Sequence, residues 1–314
     1  MAASDREIAI LLAAYNGEKY LEVQLQSLAA QTFSDFVCYI HDDGSSDGTL
    51  QIIKRYESLY PDMFRLLEYD GAHGAIGNFL SLAGFIKQNT TEPYIFFCDQ
   101  DDYWYPEKLE KELNALRRGG GSSKPLLVYC DQEIVDSELN TIAASGMAYS
   151  KRKAGVDDSF KELVFENCAA GCTIGINRPC LDLAMNYADE RHVIMHDWWF
   201  MLIARCFGDI LYVDEPLMKY RQHGSNSLGA DNKRYVGKIK KYMKNLRKSV
   251  SGKAKHVKKC ELQIQEIALI DGGRYAPEIK SIIEILKKSR LRRMAFFYKE
   301  KYVKLNECFT LLFV

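Results

Sequence analysis

Ile8-Ala9-Ile10-Leu11-Leu12-Ala13-Ala14 runs without a polar interruption into Tyr15-Asn16-Gly17, and the pattern recurs twice downstream. Phe36-Val37-Cys38-Tyr39-Ile40-His41 leads into Asp42-Asp43-Gly44-Ser45-Ser46-Asp47-Gly48-Thr49, and Tyr94-Ile95-Phe96-Phe97-Cys98 leads into Asp99-Gln100-Asp101-Asp102. Continuous apolar runs of this length are those of strands buried on both faces. Helical stretches separate them: Glu18–Ala30, with Tyr20, Leu21, Val23, Leu25 and Leu28 on one stripe, then Gly48–Tyr60 and Asn78–Lys87. A weaker strand stands near Phe64–Glu68. Strand and helix alternating at this spacing predict parallel β-α units, an α/β fold with a mostly parallel sheet flanked by helices. Ligands of such sheets gather beyond the carboxyl ends of the strands, where the polar clusters fall.

The chain has 314 residues, 47% hydrophobic and 12% aromatic, enough to bury a full core and to exclude general disorder. Its 42 basic and 42 acidic residues cancel only on average. Up to Ala230 there are 20 basic and 34 acidic residues; from Asp231 onward there are 22 and 8. The texture also changes to Lys-rich and helical there, so residues 1–230 are expected to form the α/β unit and 231–314 a basic helical region. No uncharged apolar run approaches the roughly 18 to 20 residues of a membrane-spanning helix. Nine cysteines scattered singly suit a reducing, cytoplasmic setting.

Asp42, Asp43, Asp47, Asp99, Asp101 and Asp102 crowd the ends of strands that should be neighbours. Like charges that close repel unless a cation or donor groups offset them. Carboxylates with open positions suit Mg²⁺ or Mn²⁺, which take one or two protein carboxylates plus ligand phosphates. Ser46 and Asp47 also suit a plain helix cap. Asp99, Asp101 and Asp102 fit that reading poorly, because they follow directly on an apolar run. Gly71-Ala72-His73-Gly74-Ala75-Ile76-Gly77 lacks the Gly-Lys-Ser/Thr ending of a P-loop. Cys168-x3-Cys172 and His192-x3-His196 have zinc-like internal spacings, but the stretch between them is longer than a zinc finger prefers.

The ordered set Tyr15-Asn16-Gly17, Asp42 to Thr49, and Asp99-Gln100-Asp101-Asp102 with Trp104-Tyr105-Pro106 resembles family 2 glycosyltransferases of the GT-A fold, whose sheet is Rossmann-like. His196-Asp197-Trp198-Trp199, Asp214-Glu215-Pro216-Leu217 and Tyr220-Arg221-Gln222-His223-Gly224-Ser225-Asn226 extend the resemblance toward the bacterial rhamnosyltransferase branch. The resemblance implies that Tyr15 stacks on a nucleotide base and that Asp43 accepts the base's ring N–H. Asp99 would face the ribose, and Asp101 would bind a divalent metal, Mg²⁺ or Mn²⁺, under a diphosphate. Asp197 matches the general base of an inverting transfer, with a helix N-cap as the competing reading. His223 would join the metal or a phosphate, and Arg221 would offset leaving-group charge. Gly171, Cys172 and Trp198 would stand on the acceptor side. One departure is that Ile76-Gly77 precedes Asn78 where many members carry an Arg.

The implied activity is transfer from a nucleoside-diphosphate sugar, dTDP-L-rhamnose or a UDP-sugar, to a glycan or lipid-linked acceptor in bacterial cell-surface polysaccharide synthesis. A sugar nucleotidyltransferase would want a Gly-rich, Arg/Lys-bearing loop after the first strand, which Tyr15-Asn16-Gly17-Glu18 is not. A non-catalytic glycan-binding protein is the other alternative. In the tail, Tyr235, Ile239, Tyr242, Leu246 and Val250 recur with lysines between them, a stripe suited to peripheral contact with an anionic membrane through residues 235–260. Ile279, Ile282, Ile283 and Leu286 make a second stripe, better suited to packing on the catalytic unit. No nucleic-acid reader motif accompanies the lysines.

Overall fold

The computed structural model describes residues 6–68, 73–120, 123–156, 158–223 and 255–300. The first half alternates strand and helix: β1 (Ile8–Ala14), α1 (Leu21–Ala29), β2 (Phe36–Asp42), α2 (Thr49–Leu59), β3 (Phe64–Leu66), α3 (Gly74–Asn89) and β4 (Tyr94–Asp99). Next come β5 (Tyr103–Trp104), α4 (Lys108–Arg118), β6 (Leu126–Val135), β7 (Thr141–Ala143), α5 (Gly146–Tyr149) and α6 (Phe160–Leu163). A 3-10 turn over Gly171–Thr173 precedes β8 (Ile174–Asn177), α7 (Arg178–Tyr187), α8 (His196–Phe207) and β9 (Asp209–Arg221). The described C-terminal part holds a helix over 255–267 (α9), then α10 (Ala276–Leu286) and α11 (Arg290–Lys299).

One nine-stranded sheet runs in the order β3-β2-β1-β4-β8-β6-β9-β5, with β7 beside β6. Pairings among β3, β2, β1 and β4 are parallel, as the alternation predicts. Beyond β4 the sheet turns mixed: β8 is antiparallel to both β4 and β6, and β9 is parallel to β6. Ala14 pairs with Asp42 and Ala13 with Asp99, so the polar ends of three strands stop at one edge.

β1 shows why its run carries no polar residue. Ile8, Ile10, Leu12 and Ala14 face a core layer shared with α1, α2 and α4, while Ala9 and Leu11 face the layer built with α3, α7 and α8. The second layer continues into Val257, Cys260, Ile264, Ile267, Ile279, Ile282 and Phe297. The C-terminal helices thus share the catalytic unit's core, and the Ile279/Ile282 stripe packs inward. The expected boundary at Asp231 and the stripe from Tyr235 to Val250 lie outside the described residues. Within 235–260, Val257 and Cys260 are core residues, not surface ones. No helix among the described residues is long and apolar enough to cross a membrane.

Candidate active site

The strand-end loops are tied to one another before they meet any ligand. Asn16, at φ 46°, donates its N–H to Ser45 Oγ at 2.8 Å, and its Oδ1 accepts Ser46 N–H at 2.9 Å. Gly17 N–H reaches Thr49 Oγ1 at 2.7 Å. Tyr15 N–H donates to Gln100 Oε1 at 2.8 Å, and Gln100 Nε2 donates back to the Tyr15 carbonyl at 2.9 Å. A Cβ on Gly17 would stand 2.2 Å from Gln100 Oε1, so only glycine lets this pairing form. Asp47 does cap the α2 entrance, accepting Thr49 N–H at 3.0 Å; Ser46 is occupied with Asn16.

These loops wall a cleft of about 1200 Å³ lined by Tyr15, Tyr20, Asp43, Asp99, Gln100 and Asp101. Asn167, Gly171, His196 and Asp197 line the same cleft. Tyr15 is 56% exposed, its ring offered as a platform. Asp43 Oδ1 meets His73 Nδ1 at 2.6 Å, and its Oδ2 accepts Gly74 N–H at the start of α3 at 2.7 Å. Asn78 is buried and bonded to His41, which makes it a structural post between α3 and β2.

Asp101 Oδ2 and His223 Nε2 stand 2.8 Å apart. Two adjacent ligands of an octahedral ion with bonds near 2.1 Å lie about 3.0 Å apart, so this carboxylate–imidazole pair fits a Mg²⁺- or Mn²⁺-sized ion. The His223 ring stacks on Tyr20 at 4.7 Å, and the Arg221 guanidinium covers Tyr20 at 4.5 Å. Tyr20, grouped in the sequence with the helix stripe, instead precedes α1 and stacks on His223.

Asp197 is 5% exposed in the first turn of α8, whose N-cap is Met195, so the cap reading does not apply to it. Its Oδ1 accepts Trp198 N–H at 2.6 Å, but burial outweighs that bond and pushes the carboxyl up to about 7. Burial and the charges of Asp101 and Asp197 likewise push Asp99 up. Asp102 is buried too, raised first by burial and then by Asp101 and Asp99, with its Oδ1 accepting Arg221 N–H at 3.0 Å. His196 stacks on Phe79 at 4.1 Å, and neither ring nitrogen has a hydrogen-bond partner among the described residues. Burial presses it down to about 3, so it is neutral.

Three expected site residues are not on the cleft wall. Cys172 is fully buried, with Sγ grouped with the Asp99 and Asp102 carboxylates, because the 3-10 turn aims Gly171 at the cleft and its neighbour inward. Trp198 is a core residue whose Nε1–H donates to the Leu163 carbonyl at 2.7 Å. Arg221 is buried and donates through Nε to the Asp101 carbonyl at 2.6 Å, which makes it a brace for the Asp101 loop. The zinc-like four do not form one group among the described residues: His192 groups with Asp189 and Glu266, and Cys172 with Asp99 and Asp102. Sequence reasoning gave no cleft role to Gln100 or Tyr20, and weighed His196 only as a zinc ligand; Gln100 carried a signal in its place between two motif aspartates.

The family profile described as "Glycosyl transferase family 2" matches residues 9–176. The dTDP-rhamnosyl transferase RfbG of Shigella flexneri is 31% identical over 229 residues, which are 70% of this chain and 74% of that protein. An uncharacterized glycosyltransferase of Rickettsia typhi, RT0329, is 27% identical over 70% of this chain and 65% of its own length. Among solved structures, S. aureus TarS 1-349 in complex with UDP-GlcNAc superposes with a TM-score of 0.55 at 16% identity, covering 97% of this chain and 78% of that one. That likeness is one of fold, the GT-A fold. Motifs, matched profile and relatives together place this chain in glycosyl transferase family 2.

Proposed function

We propose that the chain is an inverting, divalent-metal-dependent glycosyltransferase that moves a sugar from a nucleoside-diphosphate donor to a glycan or lipid-linked acceptor in bacterial cell-surface polysaccharide synthesis. The likeness to a dTDP-rhamnosyl transferase favours dTDP-L-rhamnose as donor, with UDP-sugars the next candidates. The observation that carries the reading is one cleft lined by Tyr15, Asp43, Asp99, Asp101 and His223 together with a buried, proton-hungry Asp197.

The donor base lies on the Tyr15 ring, and Asp43, fixed by His73 and Gly74, keeps lone pairs for the ring N–H. Asp99 takes the ribose hydroxyls. Asp101 and His223 would hold a divalent ion, whose chemistry would be to offset charge on the diphosphate. Asp197 accepts the acceptor hydroxyl's proton as that oxygen attacks the anomeric carbon in line, inverting it. A base with a pKa near working pH combines availability with driving force. Arg221 keeps Tyr20 and Asp101 in register for His223.

A panel of dTDP-, UDP- and GDP-sugars, each with and without Mn²⁺, tests this by thermal shift and turnover. A donor at 100 times its Kd should add about 2.7 kcal/mol of stability. Asp101→Asn should abolish the Mn²⁺-dependent part, and Asp197→Asn should keep the donor shift but lose turnover. Undiminished turnover in Asp197→Asn would refute the assignment of the base. Donor shifts with no turnover across a glycan and lipid-linked acceptor panel would point to a binding protein.

A further inference from the structure

α11 has two unlike faces. Inward, Phe297 is buried and meets Phe165 edge-on at 5.2 Å, and Arg293 pairs with buried Glu261 at 3.2 Å. Outward, Leu291 is 65% and Tyr298 49% exposed, with exposed Arg292 and Lys299 beside them and exposed Lys287 and Lys288 at the turn before the helix. From Lys287 to Lys299 the sequence carries six basic residues and no acidic one. Leu291, Arg292, Ala295, Tyr298 and Lys299 recur at the spacing of one helix side. Among the described residues the core makes no use of this side, an apolar pair with cations beside it.

The position of this face gives it a use. Lys161 Nζ donates to the Glu300 carbonyl at 2.6 Å, and with the Phe165–Phe297 contact this holds α11 against the segment around α6. That segment runs on directly into Asn167 and Gly171 in the cleft wall. Arg152, also in the cleft wall, pairs with Glu166 at 2.8 Å in the same segment. The rest of the catalytic unit is acidic, with 34 acidic against 20 basic residues up to Ala230. A negative surface therefore repels the body and attracts this flank, which fixes an orientation as well as a contact.

We propose that the outer face of α11 docks on an anionic lipid surface, with Leu291 and Tyr298 entering the headgroup layer and Lys287, Lys288, Arg292 and Lys299 on its phosphates. The apolar centre favours lipid over nucleic acid, which would engage the cations but leave Leu291 in water. The purpose of the contact rests on the glycosyltransferase reading, since a lipid-borne acceptor would arrive beside the Asn167–Gly171 wall. The contact itself needs no turnover, so its failure and the failure of that reading are separable.

The test is co-sedimentation of the full chain with vesicles of phosphatidylcholine alone or with about 30% phosphatidylglycerol. Binding should require the anionic lipid and weaken with salt over the Debye range. Each basic residue at such a surface is worth roughly a fivefold change in affinity. Lys287→Gln, Lys288→Gln and Arg292→Gln together should therefore lower it on the order of a hundredfold. Leu291→Glu should weaken it independently, and far-ultraviolet circular dichroism should show both variants folded. Equal binding to neutral vesicles, no vesicle binding, or full affinity in the triple variant would each overturn the proposal, the last by assigning the contact to another segment.

Discussion

Asp197→Asn should make the protein more stable and nearly inactive at once. Burial raises the carboxyl from 3.8 to about 7. The folded state holds this proton more tightly than the unfolded chain does, so the protonated group contributes stability that is full below 3.8. That contribution is lost as pH rises through about 7. The gap corresponds to about 4 kcal/mol at full ionisation. Asparagine keeps the shape and the Trp198 N–H contact but never ionises, so the variant escapes the loss. At roughly 2 °C per kcal/mol for a chain of this size, its melting point should exceed the parent's by about 8 °C at pH 8, with the gap closing toward pH 4. Turnover should fall by about 10²- to 10⁴-fold, the usual contribution of a general base. Parallel melting curves from pH 5 to 8 would refute the claim that ionised Asp197 is held at a cost. Undiminished turnover would assign the proton to another group.

The mirror case is His196, which burial lowers from 6.5 to about 3. The unfolded chain takes up this proton first, so stability is full above pH 6.5 and falls as the pH drops toward 3. His196→Leu should remove about 3 kcal/mol of that acid loss by pH 4, visible as a flatter urea midpoint against pH. Gly171→Ala would place a Cβ 2.6 Å from His196 Nε2 and 3.8 Å from Asp197 Cβ. It should cost about 1–3 kcal/mol and depress kcat, read by melting and turnover. Lys108 and Glu112 form a fully buried ion pair, with the ammonium over the Trp104 ring at 4.6 Å. Lys108→Met alone should cost about 3–5 kcal/mol in urea unfolding by stranding Glu112, and Lys108→Met with Glu112→Leu should recover most of it.

The first half of the fold was legible because each strand is buried on both faces and so writes an unbroken apolar run: Ile8–Ala14 and Phe36–Asp42 match their expected strands almost to the residue. Errors lie where a distant partner sets the local structure. α3 starts at Gly74, ahead of the expected Asn78, because the carboxylate of Asp43 supplies the accepting group at its first turn from another loop. Pro216, which removes a backbone N–H, favours a turn, yet β9 runs through it to Arg221. Bulges around Asp131, which faces Pro216, absorb the missing N–H and let the strand resume. Without that continuation His223 would not reach Asp101. Cys172 and Trp198 face inward although their sequence neighbours line the cleft, because a 3-10 turn and a helix rotate successive side chains by roughly 100–120° about the axis.

The carboxylate wall gathers like charges at this edge of the sheet. Asp99 is held in register by β1 and β4, and Asp102 by Arg221 N–H, so neither moves away from Asp101 without breaking backbone order. The nearby cations are engaged: Lys108 with Glu112 beneath the wall, and Arg221 with the Asp101 carbonyl and the Tyr20 ring. Burial raises all three carboxyls of Asp99, Asp102 and Asp197 first, and neighbouring carboxylates add to it at Asp99 and Asp102, so protonation at low pH lessens both costs. On the proposed function, a divalent ion between Asp101 and His223 and donor hydroxyls on Asp99 would supply the missing positive charge and hydrogen bonds. Binding of donor and ion should therefore be cooperative, each lowering the electrostatic cost met by the other. Titration of UDP or dTDP at rising Mn²⁺ should show an apparent Kd that falls and then levels off, with the Mn²⁺ affinity rising by the same factor when nucleotide is present. Independent affinities would mean that the wall is neutralised from within the protein.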